Sequence, residues 1–281
     1  MQRNYKKYFS IFLLPTLICY AIAFFIPFFM GLYLSFCNFK TIGNAKWVGL
    51  TNYLYVFQDS KGFIAALIFT VKIAIVGVLS TNVIAFALAL LLTKGLKGTN
   101  VYRTIFFMPN LIGGIILGYI WQLLLNGILI KLVGADLTYN ATFGYWGIII
   151  LYNWQKIGYL MIIYIAGIQS IPADLIEAAK IDGATYMQTL KKIILPLVMT
   201  SITICSFLSL TDCFKMYDQN LALTAGAPAN MTAMLAMDIY ETYYNRVGFA
   251  GIGQAKAVVF TVLVFLIAMV QLRFTRAKEV E

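Results

Sequence analysis

Six long apolar stretches constrain this chain more than any other feature of its sequence. A helix needs about 20 mostly apolar residues to cross a hydrocarbon core of about 30 Å. The fifth stretch is short unless it extends through Asp212 and Phe214, which we expect it to do. The sequence therefore predicts an all-α integral membrane protein, a single domain over residues 1–281 with six transmembrane helices. These helices are expected at residues 11–36, 65–92, 104–125, 145–169, 197–214 and 255–272.

The composition excludes a soluble domain. Hydrophobic residues make up 61% of the chain and charged residues only 11%, whereas soluble proteins carry about 25% charged residues. The net charge of +10 does not indicate a nucleic-acid partner, because the basic residues form short clusters between apolar stretches rather than a patch on a soluble domain. We expect contact with membrane lipid instead.

The N-terminal stretch shares two features with a cleaved signal peptide, namely the basic residues Arg3, Lys6 and Lys7 and the small residues within 21–23. The apolar core of a signal peptide is about 7–15 residues long. This apolar stretch continues through Phe36, so we predict an uncleaved first span.

Basic residues recur in alternate segments between the spans. The positive-inside rule places such segments in the cytoplasm, so both termini are expected there. Aromatic residues in the long opposite segments, 38–62 and 213–252, fit either interfacial anchors or a surface that docks an extracytoplasmic partner. The basic residues of the expected inner segments are Arg3, Lys6, Lys7, Lys94, Lys97, Arg103, Lys180, Lys191, Lys192, Arg273, Arg276 and Lys278.

Cysteine and histidine usage argues against a metal site. The chain has four cysteines and no histidine, and no two cysteines have the CxxC spacing of a zinc or redox motif. We interpret the cysteines as small hydrophobic residues in the spans, and we expect no metal and no Cys/His catalysis.

The segment 171–196, between the fourth and fifth spans, is expected on the cytoplasmic side as two short helices. Pro172 favours the start of the first helix, and Gly183 can adopt a positive φ and end it. A second helix is expected from Ala184 to the residue before Pro196, which disfavours continuation. Such a hairpin fits a groove of another protein or lies on lipid headgroups, and these physical arguments leave both open.

The same segment carries the spacing EAA-x3-G-x9-I-x-LP. In this spacing the chain resembles the permease subunits of binding-protein-dependent ATP-binding-cassette (ABC) importers. The resemblance implies a MetI-like, type I importer fold, in which this loop forms a coupling helix that docks in a cleft of an ATPase subunit. It implies ATPase-coupling roles for Glu177, Ala178, Ala179, Asp182, Gly183, Ala184, Ile193, Leu195 and Pro196.

Other motifs are similar to those of the carbohydrate-uptake branch of that family, which includes MalF-like and UgpA-like permeases. Residues 47–53 resemble its VGLxNY motif, and residues 103–109, followed by Trp121, resemble its entry into the third span. Residues 223–228 resemble LTxGGP, with Ala227 in place of the second glycine. The resemblance implies import of a sugar or oligosaccharide. The alternative is a non-sugar solute such as a polyamine, an amino acid or glycerol phosphate.

The resemblance also implies partners: a second, related permease subunit in a heterodimer, two ATPase subunits and an extracytoplasmic sugar-binding protein, in a bacterial or archaeal cytoplasmic membrane.

The sequence contains no Gly-x4-Gly-Lys-Ser/Thr phosphate loop. We therefore expect ATP and magnesium on the separate ATPase, no cofactor on this chain, and a transport subunit rather than an enzyme. An intramembrane enzyme would need histidine, paired aspartates or a Ser/His pair in its spans, and a stand-alone channel would not need the EAA loop.

Polar residues inside the spans are candidates for the substrate path, because a charge at mid-span costs about 2.5–3.5 kcal/mol. The fourth span offers an aromatic face for sugar C–H groups next to amides for hydroxyls. The alternative is that Lys156 pairs with Asp212 or snorkels, and that Trp154 packs between helices. The candidates there are Asn153, Trp154, Gln155 and Lys156; weaker ones, each with helix–helix contact as its alternative, are Asn82, Trp121, Gln122 and Asp212.

Overall fold

A computed structural model describes residues 2–59 and 61–277. Lys278 of the C-terminal basic cluster lies outside the described residues. The described part is mostly helical, with one two-stranded antiparallel sheet. That the chain acts as a single permease domain with both termini in the cytoplasm stays a prediction. By contacts it divides into two compact units, Met1–Phe63 with Ile239–Thr261 and Ile64–Asp238 with Val262–Glu281.

The first span is a nearly continuous helix. Its apolar part, Phe12–Leu34, has 23 residues and is about 35 Å long at 1.5 Å per residue, enough to cross a bilayer. The predicted first span is confirmed, and it ends at Leu34 because the chain then turns into a hairpin. The elements are α1 (Gln2–Tyr20), a π-helical turn (Ala21–Phe25) and α2 (Ile26–Leu34).

A short hairpin and a helix follow the first span, and one buried side chain joins them to it. The Asn52 amide is buried and donates hydrogen bonds to the carbonyl oxygens of Ser35, at 2.8 Å, and Cys37, at 3.0 Å. Asn52 is the asparagine of the VGLxNY-like motif, and these two hydrogen bonds are its structural role. The elements are β1 (Cys37–Asn38), a 3-10 turn (Ile42–Asn44), β2 (Lys46–Trp47) and α3 (Thr51–Gln58).

Among the described residues, five helices are long and apolar enough to cross a membrane, and they become six when the bent pair Tyr186–Leu197 and Met199–Phe214 is counted as one span. The predicted all-α fold with six spans is therefore confirmed, as are the second, fourth and sixth spans within a few residues. The fifth span reaches Phe214 as expected. The remaining helices are α4 (Phe63–Leu92), α5 (Thr99–Phe107), α6 (Gly114–Val133), α7 (Ala141–Gln169), α8 (Ala173–Ile181), α9 (Tyr186–Thr189), α10 (Leu195–Leu197), α11 (Met199–Phe214), α12 (Asp218–Leu223), α13 (Leu235–Tyr240) and α14 (Ala250–Arg276).

The predicted position of the third span, 104–125, is wrong. A 3-10 turn, Met108–Leu111, follows α5, and the membrane-length helix α6 starts only at Gly114. Pro109 has no amide hydrogen to continue α5, and Gly113 is extended with φ −59° and ψ 142°. The apolar run passes across this break without a change in composition, so hydropathy alone placed the span too early.

Helix α7 forms the centre of the second unit, and it is more buried than the other four membrane-length helices. Its side chains Tyr152, Leu160 and Tyr164 are 1% exposed. At Gly158 the carbonyl of Phe106 in α5 lies so close that a Cβ atom would overlap it. The crossing of α5 over α7 therefore depends on a residue without a side chain.

The segment after α11 folds back against the bundle around one buried asparagine. Asn220 is fully buried, and its amide donates to the Thr232 carbonyl at 2.8 Å and to the Thr224 hydroxyl at 3.0 Å. Its side-chain oxygen accepts from the Met234 amide at 2.9 Å. These bonds organise the turn that contains the LTxGGP-like motif, in which Gly226 has a φ of +80°.

Candidate coupling segment and substrate path

The first half of segment 171–196 is a short helix that ends at a glycine, as the sequence predicted. Helix α8 starts after Pro172 and carries Asp174 in its first turn, where the helix dipole favours an acidic residue. Gly183 follows it with a φ of +77°, a conformation that strains any residue with a Cβ atom. The Ala184 amide then donates to the Ala179 carbonyl at 2.9 Å. This bond closes the helix end in the manner of a Schellman cap.

The second half differs from the prediction at both ends. It begins at Tyr186 rather than Ala184, because Thr185 and Gln188 form a reciprocal capping box. It continues through Pro196, and the 68° bend comes two residues later, at Val198 between α10 and α11. A π-helical turn, Leu190–Ile194, precedes the proline. This wider turn shifts the hydrogen-bond pattern to five residues and accommodates the missing amide hydrogen of Pro196.

The residues of the coupling motif separate into an exposed set and a shielded set. The shielded residues hold the segment on the bundle, and the exposed ones leave a free face at Gly183 and the end of α8. The structure thus brings all nine candidates into one hairpin, while their contact with an ATPase stays a prediction. Exposed are Glu177, Ala178, Asp182 and Gly183; buried or half-buried are Ala179, Ala184, Ile193, Leu195 and Pro196.

In the second unit, Lys156 and Asp212 form the ion pair that was the alternative to a substrate role. Lys156 Nζ lies 3.0 Å from Asp212 Oδ2, and the two side chains are 20% and 40% exposed. They line a cavity of about 270 Å³ together with Tyr152, Asp218 and Gln219. At the wall of this polar cavity, the ion pair can both link α7 to α11 and contact a polar solute.

The amide candidates lie between helices. Asn153 accepts a hydrogen bond from the Thr81 hydroxyl at 2.8 Å, which joins α7 to α4. Asn82 donates to the Ser209 hydroxyl at 2.9 Å, which joins α4 to α11. Gln155 is buried and accepts from Gln219 at 2.9 Å, whereas Gln122 donates to the Leu223 carbonyl at 3.2 Å. Each of these contacts stabilises the bundle.

The two tryptophan candidates form one aromatic surface. Trp121 of α6 and Trp154 of α7 pack edge to face, with ring centroids 5.6 Å apart and ring planes at 70°. Trp154 is 42% exposed. Among the described residues, the buried Nε1 of Trp121 has no hydrogen-bond partner. A half-exposed aromatic pair suits a ligand that has apolar faces.

Residues 81–278 match a family described as the binding-protein-dependent transport system inner membrane component. The match covers well over half of the chain and includes the coupling segment and both tryptophans. The chain belongs to this family. It is a multi-pass membrane permease, and the resemblance drawn from the EAA-like spacing is confirmed.

Individual relatives of this permease extend along nearly its whole length. It is 40% identical over 279 residues to the probable starch degradation products transport system permease protein AmyD of Thermoanaerobacterium thermosulfurigenes, which covers 96% of this chain and 94% of that one. It is 28% identical over 280 residues to the multiple sugar-binding transport system permease protein MsmF of Streptococcus mutans, covering 96% and 95%.

The fold of this permease also matches a solved structure. A chain in the crystal structure of a bacterial ABC transporter involved in the import of the acidic polysaccharide alginate superposes with a TM-score of 0.82. The superposition covers 98% of both chains at 22% sequence identity. The likeness confirms the predicted importer-permease fold.

Two groups of the permease lacked a specific signal in the sequence. Lys256 lies near the start of the last span, and nothing in the sequence links it to Asp59, with which it pairs. Lys94 was counted in a basic cluster, and its position over the Tyr186 ring depends on how the coupling segment folds back. Contacts of this kind join residues far apart in sequence, and a single sequence carries no record of them.

Proposed function

We propose that this chain is the transmembrane permease subunit of an ABC importer for sugars, in particular oligosaccharides. The observation that carries the proposal is the exposed helix–glycine–helix segment 171–196, with the EAA-like spacing, at one end of a bundle of membrane spans. The sugar assignment is supported by the relatives, which are named for starch degradation products and for multiple sugars.

In this proposal the chain supplies half of a translocation pathway, and a second, related permease supplies the other half. Two ATPase subunits bind the coupling segments, and an extracytoplasmic binding protein delivers the sugar. Closure of the ATPase pair moves the segment, and the spans change between inward-open and outward-open arrangements. This chain catalyses no reaction and binds no ATP, since its sequence has no phosphate loop.

The sugar would contact the Trp121–Trp154 pair. Pyranose rings present C–H faces that pack on aromatic rings, and Trp154 is exposed enough to offer one. Gln155 and Lys156 follow Trp154 directly on α7, and the pair of Lys156 with Asp212 on α11 offers a further donor and acceptor.

The test is sugar uptake by the reconstituted importer with Trp154→Ala, using radiolabelled maltooligosaccharides delivered by the cognate binding protein. We expect uptake to fall about tenfold, because loss of a stacking contact worth about 1.4 kcal/mol corresponds to that factor. Trp146→Ala is the matched control, since Trp146 lies on the same helix and is 51% exposed. Gln155→Ala should also reduce uptake while the complex still assembles.

Wild-type uptake in both Trp154→Ala and Gln155→Ala would overturn the assigned sugar path. Uptake of amino acids or polyamines, but not of any sugar, would overturn the sugar assignment while leaving the importer permease in place.

A further inference from the structure

A cavity of about 510 Å³ lies between the coupling segment and the ends of two spans. Its walls are apolar and come from four side chains: Leu90 near the end of α4, Ile168 near the end of α7, Ile176 of α8 and Ile194 of the π-helical turn. We call it the end cavity. Since it adjoins the last turns of two membrane-length helices, we expect it at the depth where lipid headgroups meet acyl chains.

The polar part of the end cavity is basic. Lys94 and Lys180 both line it, together with the hydroxyl-bearing residues Thr93 and Thr189. The Lys94 ammonium lies 4.5 Å from the centroid of the Tyr186 ring, a cation–π distance that fixes its position. Among the residues that the structure describes, neither lysine forms an ion pair. The Thr93 and Thr189 hydroxyls donate to the carbonyls of Ala89 and Thr185, so the two unpaired ammonium groups are the donors that suit a phosphate.

Of the nine candidate ATPase-coupling residues, only Ala184 lines the end cavity. Ile176, Lys180 and Ala184, at intervals of four residues, face the cavity. Glu177 and Ala178 are exposed and do not line it. One side of the coupling segment is thus free for a protein partner while the other covers a cavity with apolar walls and a basic rim.

We propose that the end cavity binds an anionic phospholipid, with the phosphate between Lys94 and Lys180 and the start of an acyl chain against the isoleucines and Leu90. Apolar walls bury the chain through the hydrophobic effect, and basic pockets between spans attract anionic headgroups. The lipid would support the coupling segment against the spans. This site goes beyond the proposed function, because it does not depend on which solute is transported.

The test measures binding of phosphatidylglycerol and of phosphatidylcholine with the same acyl chains to the purified full-length chain. Native mass spectrometry counts the bound lipids, in a detergent whose headgroup is not a sugar. We expect selective binding of phosphatidylglycerol, weakened about tenfold in the double variant Lys94→Gln/Lys180→Gln. Lys72→Gln/Lys131→Gln is the control with the same change in net charge, because both lysines lie outside the cavity lining.

A second variant, Ala184→Leu, fills the cavity without a change in charge and should also weaken phosphatidylglycerol binding. Equal binding of the two lipids, or unchanged phosphatidylglycerol binding in the double variant, would overturn the proposal. Full displacement of the lipid by millimolar inorganic phosphate would also overturn it, because the site would then recognise a free anion and not a lipid.

Discussion

The buried lysine of the last span shows how single residues stabilise the first unit. Lys256 is 0% exposed, and its Nζ lies 3.0 Å from Asp59 Oδ2 and 2.9 Å from the Thr242 hydroxyl. The Phe63 ring lies 5.9 Å from the same ammonium. A buried charge is tolerated only when it is paired and hydrogen-bonded, so this cluster holds the start of α14 to the loop before α4.

The Asp59 contacts predict a pH dependence of stability. Burial raises the pKa of the Asp59 carboxyl, but the hydrogen bond and charge of Lys256, with the Phe63 and Gly62 amides, lower it more, so the folded-state pKa lies below its ordinary value. The stabilisation is therefore complete above the unfolded pKa of about 3.9 and is lost as the pH falls through the lower folded value.

Asp59→Asn should lower the free energy of unfolding at neutral pH by up to about 3 kcal/mol, less than for a fully buried pair because Asp59 is partly exposed. Unfolding in detergent over a pH series checks this. The difference in the free energy of unfolding between the variant and wild type should shrink as the pH falls below about 3.9. Asp136→Asn, at an exposed aspartate, should show little difference, and an equally small effect of Asp59→Asn at neutral pH would contradict the prediction.

At the scale of elements, the crossing of α5 over α7 depends on Gly158. A Cβ atom there would overlap the Phe106 carbonyl, which is backbone and cannot rotate away. We expect Gly158→Ala to displace α5 and to cost about 1–3 kcal/mol, the usual range for overpacking. Thermal unfolding of the purified chain measures this loss of stability. Gly127→Ala in α6 is the control, because nothing lies within 4 Å of its Cβ position; equal melting temperatures for the two variants would refute the crossing argument.

Local signals in the sequence were sufficient for some elements and insufficient for others. The apolar length of the spans and the positive φ of Gly183 follow from properties of one stretch of chain, and both were predicted. The start of α6 was not, because the break at Pro109 and Gly113 lies inside an apolar run. The continuation of the second helix of the coupling segment through Pro196 was also not predicted, because it depends on a π-helical turn that no local propensity indicates.

The candidate site was predicted to a similar extent. The coupling residues share one segment, so spacing alone placed them together. Trp121 and Trp154 were both candidates, but their packing against each other depends on how α6 and α7 meet. The partners of Asn82, Asn153 and Gln155 come from other helices, and a single sequence does not specify which helices are neighbours.

At the scale of the whole molecule, a permease without a phosphate loop needs a route by which ATP energy reaches its spans. Segment 171–196 is suited to that role because it is exposed at Gly183 and α8, yet continues through α10 into α11 at a 68° bend. A displacement of the exposed part is transmitted along covalent structure to a span. Coupling of this kind requires the segment to keep its shape.

Gly183→Pro should therefore abolish copurification of the ATPase subunits while the chain still inserts in the membrane. Proline cannot adopt the φ of +77° and removes the amide that donates to Lys180. Gly134→Pro is a closely matched control, since Gly134 also ends a helix, has a φ of +72° and donates to the carbonyl of Ile130. Pull-down of the tagged permease, followed by measurement of ATPase activity, distinguishes the two variants.

If the Gly134 variant retained the ATPase and the Gly183 variant lost it, the effect would come from the coupling segment and not from a strained helix end. Retention in both would remove segment 171–196 as the docking site, and the energy would have to reach the spans by another surface.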